Sequence, residues 1–254
     1  MQTTNYQKVF EFHETFDVAR SSEPNIDNIR NYKISSLRVK LIVEEFDEYI
    51  EAMDAKNNTE MMDALGDLLY VVYGTGVSFG INLDDAFKNY CRQEIERREF
   101  FFSTTSECDD MLELRSNYHK IMNLFGTNGE NCANFITNFD YTILNLSYSI
   151  LNGNVDLITD ELCQMLHILY EVCYHNDINA DQLFTIIHNS NMTKMCQTEE
   201  EAKKTVDWYV ETRGELFDPF YVKSINDKYW IVRDKKTNKC LKSINYVPVD
   251  LSSL

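Results

Sequence analysis

Three prolines and eight glycines in 254 residues leave few breaks in the chain, and the long stretches of helical period between them predict a mainly α body. No apolar run reaches 18 residues, and the opening MQTTNYQKVFEFHETF lacks the basic and apolar regions of a signal peptide. A soluble, cytoplasmic protein without a membrane partner is therefore expected. The seven cysteines, at 91, 108, 132, 163, 173, 196 and 240, contain no CxxC pair and are odd in number. They suit free thiols in a reducing compartment and read as core filler. Positive charge is also short. A formal net charge of -17 excludes a protein that grips long nucleic acid through Lys and Arg, but it leaves room for a small phosphorylated ligand bridged by metal. With 44% apolar and 13% aromatic residues, the chain can bury one large core or two modest ones.

The chain is rich in carboxylates at helical spacing. In VEEFDEYIEAM (43–53), Glu44 and Glu48 are four apart and Glu45 and Glu48 three apart, so all three lie on adjoining strips of one helix. In EMMDALGDLLYVVYG (60–74), Glu60, Asp63 and Asp67 repeat the three-then-four spacing. A short turn around 56–59 makes the two helices antiparallel neighbours, and six acids are then expected to face each other. Two carboxylates about 4 Å apart repel by roughly 4 kcal/mol at an effective dielectric near 20. Such a cluster needs protons or a cation, and hard oxygen ligands favour Mg2+, with Mn2+ as the alternative ion. The competing reading is a pair of solvated acidic faces. Against it, the strip carrying Asp63 and Asp67 runs on into a segment apolar on every side, which is normally buried.

The sequence also resembles itself. DALGDLLYVVY (63–73) recurs as DELCQMLHILY (160–170), and INLDDAF (81–87) as INADQLF (178–184), both at an offset of 97. NYQKVF (5–10) resembles NYHKIM (117–122) at an offset of 112. A duplication is expected, with a catalytic helical repeat at 1–105, a degenerate second repeat at 106–212 and a tail at 213–254. The second copy has Tyr141, Thr142, Asn145 and Gln164 where the first has Glu44, Glu45, Glu48 and Asp67, so it should hold no metal. It has instead SNMTK (190–194), which has no counterpart in the first copy. The tail segments FYVKSI, YWIVRD and KCLKSINY alternate and predict a small antiparallel meander, read as an appendage.

The ordered set VFEFHETF, RVKLIVEEFDEYIEA, EMMDALGDLLYVVYGTGVSFGINLDDAF, HNSNMTK and YWIVRDKKTNKCLKSINYVPVDL resembles the all-α nucleoside triphosphate pyrophosphatases of the MazG and phosphoribosyl-ATP pyrophosphohydrolase type. The resemblance implies Mg2+ held by EExxE and ExxD acids, with water cleaving between the α and β phosphorus atoms to give a nucleoside monophosphate and pyrophosphate. It implies Glu45, Glu48, Glu60, Asp63 and Asp67 as ligands and Glu44 as the group that orients or deprotonates water. The short members of the family carry EExxE and SNMxK in one unit. Here the two copies are expected to pack as an internal pseudo-dimer, with Asn191 and Lys194 reaching a nucleotide held by the first copy. A further homodimer is compatible with this layout.

Other residues divide between two readings each. His188 either contacts base or phosphate or satisfies local backbone at a helix end. Arg38 either reaches a phosphate or pairs with an acid on its own helix. Lys242 resembles a family position but reads as solvated, and Tyr70 and Tyr73 read as core packing rather than as a base pocket. The expected substrate is a deoxy or non-standard nucleoside triphosphate. The alternatives are a nucleotide-binding sensor or structural protein without turnover and, ranked lower, hydrolysis of phosphoribosyl-ATP itself.

Overall fold

The computed structural model describes residues 3–99, 132–225, 227–252 and 254. Helices α1 (Asn5–Thr15), α2 (Ile26–Arg30), α3 (Tyr32–Asp54), α4 (Asn58–Phe79) and α5 (Leu83–Glu99) come first. They are followed by α6 (Cys132–Asn152), α7 (Val155–His175), α8 (Ala180–Met192) and α9 (Glu199–Arg213), and then by strands β1 (Pro219–Lys223) and β2 (Trp230–Asp234). NYHKIM, Cys108 and the expected boundary near 105 lie outside the described residues. Cys91, Cys163, Cys173 and Cys196 are free thiols buried in the interior. No single helix among the described residues is long and apolar enough to cross a membrane.

Helix α4 forms the centre because its sequence is apolar all round after the first turn. Leu65, Leu68, Leu69, Val72, Tyr73, Val77 and Phe79 are all buried, each stabilising the fold by roughly 1.5–3 kcal/mol. It packs against α3, α1, α8 and α7. Side-chain caps set the helix starts: the Asn57 side chain accepts from the Glu60 N–H, and the Asn154 side chain accepts from the Leu157 N–H.

The hairpin α3–α4 and the hairpin α6–α7 are turned by the same local chemistry. The left-handed residue is Lys56 in one and Gly153 in the other, and the next residue is the capping asparagine, Asn57 or Asn154, 97 positions apart. The Asn57 N–H donates to the Ala52 carbonyl at 3.0 Å, and the Asn154 N–H to the Ser149 carbonyl at 3.1 Å. The next turn matches too, with Gly80 and Asp177 both at positive φ. The hydroxyls of Tyr73 and Tyr170, again 97 apart, meet at 3.0 Å in the core.

The tail differs from a three-stranded meander. β1 and β2 pair antiparallel, but the third segment contributes only an isolated bridge between Arg233 and Cys240. The Leu241 N–H completes that bridge by donating to the Val232 carbonyl, and the N–H groups after it are used elsewhere: Lys242 donates to the Tyr209 hydroxyl, Ser243 to the Lys194 carbonyl and Ile244 to the Thr205 hydroxyl. This segment ties α9 to the end of α8, and a small second core of Cys196, Ala202, Tyr209, Val232 and Leu241 forms beneath it.

Candidate active site

The acids of α3 and α4 act on one another because the two helices pack side by side. The Glu45 carboxyl is pushed up to about 8, chiefly by burial and then by the charges of Asp67 and Glu48. Asp67 is raised to about 6 by burial, with Asp63 and Glu48 adding to the effect and Lys194 opposing it. Asp63 is raised by burial and by Glu60, and Lys242 and Lys194 oppose that shift. Its Oδ1 is buried and accepts no hydrogen bond.

All six acids are coupled: Glu45, Asp63 and Asp67 are partly buried and feel the charges of Glu44, Glu48 and Glu60, of which Glu48 and Glu60 are exposed, Glu60 in the first turn of α4. Glu44 points to the margin, 3.4 Å from Lys40 one turn earlier. Among the described residues no three His, Cys, Asp or Glu side chains are drawn into a closed ligand set; like charges at contact distance repel, and the carboxylates stand apart. The donor set nevertheless fits a hard divalent cation. All its donors are carboxylate oxygens, one buried oxygen lacks a protein partner, and two carboxyls are held toward their protonated forms by burial and by each other.

The other wall comes from α8. It approaches α4 closely because Gly66 has no side chain; a Cβ there would lie 2.6 Å from Cγ1 of Ile187. This contact lays Phe184 against the Tyr70 ring at 5.3 Å between centroids, and it brings the end of α8 beside Asp67. There the Lys194 ammonium donates to Asn191 Oδ1 at 2.5 Å. Burial and Lys242 lower the pKa of Lys194, and Asp67 and Glu45 hold it up. A cation from the second half of the chain thus sits against the acids of the first.

Lys242 is exposed, as its sequence reads, but its charge reaches Asp63, Asp67 and Lys194. The tail bond from the Ser243 N–H to the Lys194 carbonyl, 3.2 Å, fixes the two lysines as neighbours. The Lys242 ammonium lies 4.3 Å from the centre of the Tyr246 ring. Its local signal was only the resemblance to a family position, since the fold that brings it here depends on contacts far away in sequence.

Two sequence candidates sit elsewhere. Arg38 neither pairs with an acid of its own helix nor projects to a phosphate; it is 5% exposed, and its Nη1 lies 3.3 Å from Nε2 of His13. Nδ1 of His13 lies 2.8 Å from the Ala19 carbonyl, so the imidazole donates there and accepts from the guanidinium. Burial and Arg38 push His13 down to about 3, which keeps it neutral. Gly74 makes room, since a Cβ there would lie 3.0 Å from the Arg38 guanidinium. His188 does not satisfy backbone: its Nδ1 is 3.1 Å from the Tyr70 hydroxyl, and burial lowers its pKa to about 4. Tyr70 and Tyr73 are core residues.

Residues 9–94, which contain α3, α4 and their acids, match the family model of phosphoribosyl-ATP pyrophosphohydrolase. The chain belongs to the MazG-like all-α NTP pyrophosphatase family. An uncharacterized protein of Acanthamoeba polyphaga mimivirus is 30% identical over 247 residues, covering 95% of this chain and 92% of the relative. That match extends through α8 and the tail as well as the acidic helices. No solved structure matches the chain. Membership in this family points to pyrophosphohydrolase chemistry on a nucleotide.

Proposed function

We propose that the protein is a Mg2+-dependent nucleoside triphosphate pyrophosphohydrolase acting on a deoxy or non-standard nucleotide, with one site per chain built from both halves. The observation that carries this reading is the position of Lys194, on the segment after α8, in the field of Glu45 and Asp67. Four carboxylates suited to a cation and two lysines suited to phosphate oxygens lie within one another's electrostatic reach. Glu45, Glu48, Asp63 and Asp67 would hold Mg2+, which when bound offsets phosphate charge and acidifies water.

The chain's own groups account for the rest. Lys194 and Lys242 neutralise the phosphate oxygens of the leaving pyrophosphate, and Asn191 fixes Lys194 through its amide oxygen. Glu44, beside Glu45 and bound only to a surface lysine, takes the proton of the water that attacks the α phosphorus. The bond from that phosphorus to the bridging oxygen breaks, and pyrophosphate leaves.

The two hairpins with matching caps 97 residues apart support a duplicated core packed as an internal pseudo-dimer. Loss of acids at Tyr141, Thr142, Asn145 and Gln164 is the one feature that favours a nucleotide-binding sensor instead. The experiment that separates the readings is pyrophosphate release from a panel of nucleoside triphosphates with Mg2+, compared between wild type and Glu48→Gln. Release in the wild type and none in the variant supports the enzyme. Binding without release in the wild type favours the sensor.

A further inference from the structure

The tail carries charge opposite to that of the rest of the chain. Residues 219–254 contain seven lysines and arginines against three aspartates, +4, which leaves -21 on residues 1–218. A nucleoside triphosphate is a polyanion, so the acidic body repels it from most directions, and the carboxylates of the cleft add to that repulsion. The whole-chain charge of -17 hides a region from which the approach is attractive.

The tail cations differ in how far their charge can act. Arg233 is buried and donates to the Asn238 and Phe16 carbonyls. Lys223 lies 3.1 Å from Asp227 and Lys235 2.9 Å from Asp218, so each is offset by a neighbour. Lys236 and Lys239 are different. Both are exposed, and neither pairs with a carboxylate among the described residues.

Their turn is held in place and seated beside the cleft. The buried Asp234 carboxylate accepts from the Asp218 N–H at 2.9 Å, from the Thr237 N–H at 2.9 Å and from the Thr237 hydroxyl at 2.7 Å. The Asp234 N–H donates to the Lys239 carbonyl at 3.0 Å, which closes the turn. Strand β2 is bonded in its turn to the segment that carries Lys194: the N–H of Cys196 donates to the Trp230 carbonyl at 2.8 Å, and the N–H of Trp230 to the Cys196 carbonyl at 2.9 Å. Lys239 precedes Lys242 by three residues, at most about 10 Å along an extended chain. The Debye length is about 8 Å at 0.15 M salt and about 30 Å at 0.01 M, so a charge on this turn is felt by an anion nearing the cleft.

Resting on the proposed pyrophosphohydrolase site, we propose that Lys236 and Lys239 steer the anionic nucleotide into the cleft. They raise the rate of encounter without holding the bound ligand, and they favour a triphosphate over less charged nucleotides.

Stopped-flow binding to the full chain tests this, with Mg2+ and a fluorescent, non-hydrolysable analogue of the triphosphate that is turned over best. Lys236→Glu with Lys239→Glu should lower the association rate constant by about tenfold at about 0.01 M ionic strength and by less than about twofold at about 0.5 M. Lys236→Gln with Lys239→Gln should fall between that variant and the wild type at low salt. The dissociation rate constant and Tm should stay near wild-type values in both variants, and the matching diphosphate should lose less than the triphosphate. An association rate constant unchanged in the glutamate variant at low salt overturns the proposal and leaves the site intact. So does a loss that persists at high salt, or one carried by faster dissociation, which would make the lysines direct ligands. A wild type that binds no triphosphate at any salt removes the site itself, and the steering with it.

Discussion

Replacing Glu45 by glutamine should make the metal-free protein more stable while abolishing pyrophosphate release. The native carboxyl binds its proton up to about pH 8, whereas an unfolded glutamate releases it near 4.5. Between those values the native state holds more protons than the unfolded state, so wild-type stability falls as pH rises through this window and levels off above 8. A shift of this size corresponds to roughly 4–5 kcal/mol if fully transmitted. Water at the rim of a half-buried group reduces that to on the order of 2–3 kcal/mol. Glutamine carries no such penalty. For a domain of this length the difference is roughly 5–10 °C in Tm at pH 8, shrinking to nothing near pH 4.5. Thermal melts of both proteins in chelator across pH 4.5 to 8.5 provide the measurement, and Mg2+ should raise the wild-type Tm at pH 8 more than that of the variant. A Glu45→Gln protein that melts below the wild type at pH 8, or a difference independent of pH, would refute the reasoning.

Three further outcomes follow from the same geometry. Lys194→Ala should raise KM for the triphosphate by about 10- to 100-fold, and the more exposed Lys242→Ala by roughly tenfold or less, because a charge-assisted hydrogen bond to phosphate contributes about 1.5–3 kcal/mol; steady-state kinetics decides, and an unchanged KM in Lys194→Ala removes the cross-half site. Gly66→Ala should cost about 1–3 kcal/mol by overpacking against Ile187 and weaken nucleotide binding as α8 is pushed outward, measured by denaturant titration and calorimetry. His13, held neutral down to about pH 3 while an unfolded histidine protonates near 6.5, makes stability fall as pH drops through that interval; His13→Gln should flatten the acid limb of the stability profile, seen in urea melts between pH 3 and 7.

The acid pair was legible in the sequence because its members sit on consecutive helices, where spacing alone fixes the face. The tail was not. Its alternation is strand-like, but Lys242, Ser243 and Ile244 direct their N–H groups to Tyr209, Lys194 and Thr205 rather than to a third ladder. No local pattern encodes partners more than thirty residues away. Arg38 and His13 illustrate another limit: 25 residues apart in the chain, they share one buried bond, and nothing in either segment marks a guanidinium meant for the interior. That the second hairpin has no acids at the positions matching Glu44, Glu45 and Glu48 was readable by alignment to the first, whereas the exposure of the residues there depends on which face of α6 turns inward.

The strap that joins Ser243 to Lys194 lies far downstream of the acidic helices α3 and α4. During synthesis the ribosome releases the glutamates of α3 long before Lys242 emerges, so the negative and positive sides of the cleft are completed at opposite times. A nascent chain, or a fragment clipped before the strap, carries its carboxylates without Lys242 and without the bond that holds Lys194 in place.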